Sequence, residues 1–225
     1  MDEIATKQQL SDCLKLMAAF FYEPETELFE EENVCRNLSN LFQSFCPEAC
    51  ISVDGMYLAL QNSSQEELRI AHAELFVGPF GLKASPYGST YLEKTRMVMG
   101  KSTMEVLKHY ERVGLEVDIK QPPDHIAIEL EFLSYLCGLE AEALQGGDRK
   151  KGAELAAEQK SFLGAYVLPW MPQFVENIRS GTENTYYLCL ADCFEKFLRK
   201  LTVLSKDTDS YSPDVKKLNV DATIH

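Results

Sequence analysis

The sequence predicts an all-α fold. Apolar residues recur at helical spacing through most of the first 204 residues, and no run alternates between apolar and polar side chains as a half-buried strand does. The chain of 225 residues is 45% hydrophobic, which is enough to bury the core of one large domain. We therefore expect one globular multi-helix bundle over residues 1–204 and a polar C-terminal tail over residues 205–225, which lack a helical period.

Helices are predicted first in the N-terminal third. The first helix is indicated by apolar side chains that share one face, namely Leu10, Leu14, Met17 and Phe21. The same spacing continues over residues 27–45 and predicts a second helix, after which a polar turn is expected near Asp54 and Gly55. A third helix is expected from about Ser64, and its apolar face would point His72 toward the core.

A long structured loop is predicted over residues 78–93. Three glycines and two prolines in this stretch exclude a long helix or a central strand. Tyr87 and Tyr91 are expected to pin the loop to the body of the protein, because aromatic rings on loops commonly pack or stack.

The tetrapeptide GKST at residues 100–103 favours a helix start. A phosphate-binding P-loop needs a glycine five positions before Gly100, where this chain has Thr95. Ser102 and Glu105 instead have the spacing of a capping box, and the helix that follows is expected to end near Gly114.

Further helices are predicted in the C-terminal half. A Gly-Gly break at residues 146–147 is typical of the connection between two antiparallel helices. A helix through Trp170 is expected to end at Gly181. The last helix is indicated by six apolar residues on one face, namely Tyr187, Leu190, Phe194, Phe197, Leu201 and Leu204.

Charge and composition narrow the classes of partner. The chain has 22 Lys and Arg against 35 Asp and Glu, a formal charge of −13, which repels nucleic acid and anionic membranes and favours basic peptides. No apolar run is long enough to cross a membrane and the first residues lack the features of a secretory signal, so we expect a cytoplasmic protein. The seven cysteines are expected to be buried thiols, and no metal or cofactor is predicted.

The stretch QPPDHIAIELEFLSYL, residues 121–136, starts a largely apolar helix. Asp124 follows two prolines and is expected to cap that helix, whereas the same position gives His125 no favourable interaction with the helix dipole. His125 could form an acid/base pair with Glu129 or Glu131. We nevertheless expect no catalysis, because no nucleophile motif is present and the remaining histidines are too few for a metal-dependent hydrolase.

Several motifs in this order resemble one protein family. The segments LFVGP (75–79), SPYGSTYLE (85–93), PPDHIAIELEFLSYL (122–136) and PWMPQF (169–174) are similar to those of the TorD/DmsD family. The resemblance covers roughly residues 10–204, and its most specific element is the Asp124-His125 pair.

That resemblance implies a function. TorD/DmsD proteins are all-helical cytoplasmic maturation chaperones that bind the twin-arginine signal peptide and the apo catalytic subunit of a molybdenum-containing oxidoreductase. They assist cofactor insertion and delay export, and they are not enzymes. The implied peptide-binding residues of this chain are Asp124, His125, Leu75, Phe76, Pro86, Tyr87, Tyr91 and Gly100.

Two other interpretations of the sequence remain open. One is a helical hydrolase that uses His125 and nearby carboxylates. The other is a general scaffold that binds amphipathic peptides in a groove near Leu75 and Phe76. The identity of the client enzyme and a possible homo-oligomer also remain open.

Overall fold

The structure, a computed structural model, describes residues 2–78, 81–93, 99–115 and 121–207. Within these ranges the chain forms α-helices and no strand, which confirms the all-α prediction. The helices are α1 (Glu3–Ala19), α2 (Thr26–Glu31), α3 (Val34–Phe45), α4 (Cys50–Asn62), α5 (Gln65–His72), α6 (Ser89–Leu92), α7 (Lys101–Arg112), α8 (Ile126–Gln145), α9 (Arg149–Phe162), α10 (Met171–Gly181) and α11 (Thr185–Asp207). Because α11 continues to Asp207, it includes the first residues of the predicted tail, and residues 208–225 lie outside the described ranges.

Helices α8 and α11 organise the bundle. Helix α8 packs against α1 and α9, and α11 packs against α4 and α10. Both helices carry apolar residues that are fully buried, such as Leu130 on α8 and Phe194 on α11. Apolar positions at helical spacing therefore meet in one continuous core, as the sequence predicts.

The predicted helix over residues 27–45 is wrong as a single element. It divides into α2 and α3 at Glu32 and Asn33, and Asn33 has a left-handed backbone with φ 51°. Asparagine tolerates this conformation better than most residues. The apolar spacing continues across the break, so periodicity alone does not reveal it.

The predicted turn near Asp54 and Gly55 is also wrong, because both residues lie inside α4. A Cβ atom at Gly55 would lie 2.7 Å from the Cys189 Sγ atom. The glycine thus permits close packing of α4 on α11 and does not mark a turn.

The predicted start of α5 is confirmed. Ser64 and Glu67 form a capping box, in which the Ser64 N–H donates to Glu67 Oε2 at 2.8 Å and Ser64 Oγ accepts from the Glu67 N–H at 3.2 Å. His72 is buried, as predicted. A π-helical turn, Ala73–Val77, continues α5 and carries the chain toward the long loop.

The cysteines are free thiols, and five of the seven are buried as predicted, whereas the prediction is wrong for Cys50 and Cys189, which are half-buried. Burial raises the pKa of Cys13 and of Cys137 to about 12, so both thiols stay protonated at neutral pH. No group of three or more His, Cys, Asp and Glu side chains within the described ranges could hold a metal ion. None of the helices in those ranges combines the length and the apolar character needed to cross a membrane.

Candidate functional site

The long loop and the start of α8 are joined by their backbones. The Ile126 N–H donates to the Pro86 carbonyl at 2.8 Å, and the Gly88 N–H donates to the Asp124 carbonyl at 2.9 Å. Tyr87 and His125 face each other in this short antiparallel bridge. The structure thus brings together four of the residues that the sequence implies, Pro86, Tyr87, Asp124 and His125.

Asp124 does not cap α8, and that prediction is wrong. Its Oδ2 atom accepts the backbone N–H of Ser89 at 2.8 Å, so it caps the short helix α6. The N-cap of α8 is His125, whose Nδ1 atom accepts the Ala127 N–H at 3.2 Å. The backbone bridge explains why Asp124 caps α6 and not α8, because it places the loop directly beside Asp124.

His125 is a buried, neutral imidazole. Its ring stacks on Tyr22 with centroids 6.0 Å apart and meets the edge of Tyr87 at 5.3 Å. Burial, with a smaller contribution from nearby His72, lowers the pKa of His125 to about 4. The neutral ring explains how Nδ1 can accept a hydrogen bond at the helix start, because a protonated imidazole has no acceptor.

Glu129 lies one turn further along α8 and is fully buried. Neither of its carboxyl oxygens has a hydrogen-bond partner, and the same is true of Asp124 Oδ1 and Ser89 Oγ. Burial and the negative charge of Asp124 raise the pKa of Glu129 well above its ordinary value, and the nearby Trp170 indole opposes this only in part. Glu129 therefore holds its proton more tightly than an exposed glutamate does.

Gly88 allows the loop to approach this acid closely. A Cβ atom at Gly88 would lie 3.0 Å from Trp170 Nε1 and 3.4 Å from Glu129 Oε1. The Trp170 N–H donates to the Tyr166 carbonyl at 2.6 Å, which fixes the indole in this position. A side chain at position 88 would push the loop away from Trp170.

Tyr91 pins the loop to α10, in agreement with its predicted role. Its hydroxyl donates to the Ser85 carbonyl at 3.0 Å and accepts from Asn177 Nδ2 at 3.2 Å. Its ring stacks on Trp170 with centroids 5.1 Å apart. Tyr91 therefore connects the two ends of the loop to the body of the protein.

Gly100 lies at the N-terminus of α7, beside Glu93. Glu93 Oε1 accepts both the backbone N–H and the hydroxyl of Ser102 at 2.7 Å, and these bonds lower the pKa of the Glu93 carboxyl. The predicted capping box of Ser102 with Glu105 is therefore wrong, because Glu93 occupies that position. A Cβ atom at Gly100 would lie 2.2 Å from both carboxyl oxygens of Glu93, so this cap requires glycine.

Leu75 and Phe76 lie in the core beneath the site. Leu75 is 0% exposed and Phe76 is 3% exposed. The Phe76 ring packs against Phe174 at 6.0 Å, and the Leu75 carbonyl accepts the Ala84 N–H at 2.9 Å. In this conformation the two residues support the loop, and their direct contact with a peptide stays a prediction.

Exposed or half-buried aromatic, acidic and apolar side chains lie on segments that form or flank the site. The half-buried Tyr22 donates its hydroxyl proton to Glu131 Oε1 at 3.1 Å, and Glu131 is exposed on α8. Val77 is 64% exposed and Met99 is 54% exposed. These segments therefore carry an aromatic ring and a carboxylate suited to a cation, and exposed apolar side chains at Val77 and Met99.

Sequence reasoning missed three residues of this site, Tyr22, Ser89 and Trp170. Trp170 is the only tryptophan in the chain and lies in the motif PWMPQF, and these are the two signals that could have found it. The roles of Tyr22 and Ser89 depend on contacts with residues more than thirty positions away, which no local motif indicates.

Comparisons with known proteins identify the family. The family model described as "Nitrate reductase delta subunit" matches residues 36–176, a segment that contains all of the predicted peptide-binding residues. The chain belongs to the nitrate reductase delta subunit family. Among relatives of this family member, Chaperone protein TorD of Vibrio parahaemolyticus is 29% identical over 82% of this chain and 86% of its own length. Tat proofreading chaperone DmsD of Salmonella typhi is 26% identical over 78% of this chain and 79% of its own length.

A solved structure agrees with this family assignment at the level of the fold. The chain resembles a protein of Archaeoglobus fulgidus described as a redox enzyme maturation protein, with a TM-score of 0.53 and 22% identity. The match covers 84% of this chain and 93% of that one. Together with the relatives, it confirms the resemblance to the TorD/DmsD family that the motifs indicate.

Proposed function

We propose that this chain is a maturation chaperone for a molybdenum-containing oxidoreductase. It binds the twin-arginine signal peptide and the apo catalytic subunit of its client, assists cofactor insertion and delays export. The observation that carries the proposal is the junction of the loop with Asp124 and His125, in a chain whose relatives are named TorD and Tat proofreading chaperone DmsD.

The chemistry of the accessible surface suits such a peptide. A twin-arginine leader combines a basic segment with an apolar segment. Guanidinium groups bind carboxylates and aromatic faces, which Glu131, Tyr22 and Tyr87 supply. The apolar segment would contact exposed side chains near the loop, such as Val77 and Met99.

The overall charge of −13 favours the encounter, because it attracts a cationic leader over long range. Exposed charges are screened as the Debye length falls from about 10 Å at 0.1 M salt to about 3 Å at 1 M. Apolar contacts persist under those conditions. Binding should therefore have one salt-sensitive and one salt-insensitive part.

Calorimetric titration with a synthetic leader tests the proposal. We expect the affinity to decrease at high salt but to remain measurable. Replacing both leader arginines with glutamine should remove most of the salt dependence, and trimming the leader leucines should weaken binding at every salt concentration. A basic peptide of equal charge without an apolar segment is the matched control, and equal affinity for it would contradict the proposal.

Variants of the protein sharpen the test. Glu131→Gln should weaken binding of the arginine leader and leave the diglutamine leader unaffected. Glu142, on the same helix, is exposed like Glu131, so Glu142→Gln serves as the control for a nonspecific change in charge. Hydrolase activity lost on His125→Ala would instead support the enzyme interpretation. Equal binding of amphipathic peptides with and without an arginine pair would support a general scaffold.

A further inference from the structure

The junction between the loop and α8 contains an unusual set of buried polar atoms. Asp124 is 1% exposed, Glu129 is 0% exposed and Ser89 is 0% exposed. Four of their side-chain oxygens have no hydrogen-bond partner, namely Asp124 Oδ1, Glu129 Oε1, Glu129 Oε2 and Ser89 Oγ. Buried polar atoms are almost always paired, so a cluster of this kind needs an explanation.

No cation compensates the two carboxyl groups in the described part of the chain. The titratable groups that interact with Glu129 are Asp124, ahead of α8, and Tyr110, on α7. The Tyr110 hydroxyl donates to the Pro123 carbonyl at 2.8 Å and so is directed elsewhere. Two ionised carboxylates that are buried together without a cation would repel each other strongly, because the interior has a low dielectric constant.

The two acids differ in their hydrogen bonding. Asp124 Oδ2 accepts the Ser89 N–H at 2.8 Å. Glu129 accepts no backbone N–H and is fully buried beside the Gly88 backbone and the Trp170 indole, which lowers its pKa only in part. Burial, together with the charge of Asp124, therefore makes Glu129 hold its proton more tightly than an exposed glutamate does.

We infer that Glu129 is a positioning residue for the proposed leader-binding site. As a protonated acid it completes the packing beneath Gly88. Packing of loop residues 86–91 against α8 is therefore coupled to the binding of one proton by Glu129. This inference rests on the proposed function, and it adds an internal group that does not touch the peptide. When the loop is displaced, Glu129 meets water and releases its proton to solvent. When the loop packs against α8 again, Glu129 takes up one proton from solvent.

This coupling has a definite sign. A group that holds its proton more tightly in the folded state makes folding less favourable as pH rises, since the folded state then binds more protons than the unfolded state. The raised pKa of Glu129 thus predicts that the loop is held less firmly as pH rises above the ordinary glutamate value of 4.5. Coupling to a single proton limits the change to about tenfold in the equilibrium constant per pH unit.

The first experiment needs no peptide. The Glu129 carboxyl carbon, labelled with ¹³C and assigned through bonds in the wild-type protein, should have the chemical shift of a neutral acid at neutral pH. Protection of the Ser89 N–H from hydrogen exchange, corrected for the intrinsic rate, should decrease as pH rises above the ordinary glutamate value of 4.5. An ionised Glu129 at neutral pH, or protection that does not change with pH, would overturn the inference.

The conservative variant supplies the second readout. Glu129→Gln imitates the neutral acid, so the protection of Ser89 should become independent of pH, and the variant should gain stability over the wild-type protein as pH rises. Glu140→Gln is the matched control, because Glu140 is equally buried on α8 but pairs with Lys7 at 2.9 Å and accepts from Gln159 at 2.7 Å. That substitution should destabilise the protein at neutral pH, and the same pH profile for both variants would contradict a specific role for Glu129.

Leader titrations separate this inference from the proposed function. Wild-type affinity should decrease as pH rises, and the Glu129→Gln variant should lose this dependence while keeping its affinity at low pH. If the leader binds with the same pH profile in both proteins, the coupling is wrong and the chaperone function stands. If no leader binds at any pH, the proposed function fails, and the carbon shift and the Ser89 protection still decide whether Glu129 carries the proton.

Discussion

The carboxylate of Asp124 caps the Ser89 backbone N–H at 2.8 Å, across 35 positions of sequence. This bond connects the most specific motif of the chain to a loop that the sequence attaches to the body of the protein only through Tyr87 and Tyr91. Asp124 therefore contributes to the shape of the candidate site through the loop, in addition to any contact that it makes with a peptide.

Replacing Asp124 should loosen the loop more than the bundle. Asp124→Ala leaves the buried Ser89 N–H without an acceptor, which costs about 1 to 3 kcal/mol. Asp124→Asn keeps an amide oxygen at this position and should recover part of the loss. Chemical denaturation measures the total cost, and hydrogen exchange at Ser89 locates it.

Asp148 provides a control for the Asp124 variants. Its Oδ1 atom accepts the Lys151 N–H at 3.0 Å as the exposed N-cap of α9. Asp148→Ala should cost about 1 kcal/mol and leave the exchange of Ser89 unchanged. An identical effect of both aspartate substitutions on Ser89 would refute the specific connection between Asp124 and the loop.

Gly100→Ala should release the cap of α7. The new methyl group would lie 2.2 Å from the Glu93 carboxyl oxygens and displace them from Ser102. We expect a measurable loss of stability, as for other N-cap deletions. Glu93→Ala should cause a similar loss, and the double variant should be no worse than either single one, because both remove the same interaction. Fully additive losses in denaturation experiments would show that Gly100 acts independently of Glu93.

His125 should make the protein less stable in acid. Its folded pKa is about 4 and its ordinary value is 6.5, so the unfolded chain binds more protons between these values. The stabilisation is complete above pH 6.5 and is lost as pH falls toward 4. His125→Asn keeps a side-chain acceptor for the Ala127 N–H and should flatten this part of the stability profile. Unchanged acid sensitivity in the variant would assign the effect to other groups.

Tyr91→Phe should separate stacking from hydrogen bonding. The variant keeps the ring on Trp170 and loses the bonds to Ser85 and Asn177. We expect a cost of about 1 kcal/mol from the lost hydrogen bonds. Tyr91→Leu should cost more, because it also removes the aromatic pair. Equal stability of the Phe and Leu variants in thermal unfolding would show that stacking contributes nothing.

The sequence predicts helices well where an apolar face is long and uninterrupted. Helices α8 and α11 follow directly from such faces, because burial of the apolar side dominates their stability. The break at Asn33 escapes this reasoning, since the apolar spacing is the same on both sides of it. Gly55 causes the opposite error, because it predicts a turn where α4 is continuous. Its small size permits close packing against Cys189.

The sequence predicts which residues belong to the candidate site but not which of them contact each other. Asp124 and Ser102 both carry side chains that commonly cap helices, and local spacing assigned each to the nearest helix start. Their actual partners, Ser89 and Glu93, come from segments that the fold brings alongside. A capping pattern in the sequence thus identifies a polar group that needs a partner, and only tertiary structure identifies the partner.

The position of Trp170 makes the protein its own optical reporter. It is the single tryptophan of the chain, and its indole borders Gly88, Tyr91 and the Glu129 carboxyl group. Intrinsic emission excited selectively in the indole band therefore originates from one place, beneath the loop. Any displacement of the loop changes the polarity and quenching around that ring, so the state of the site can be followed in unlabelled protein on the timescale of mixing.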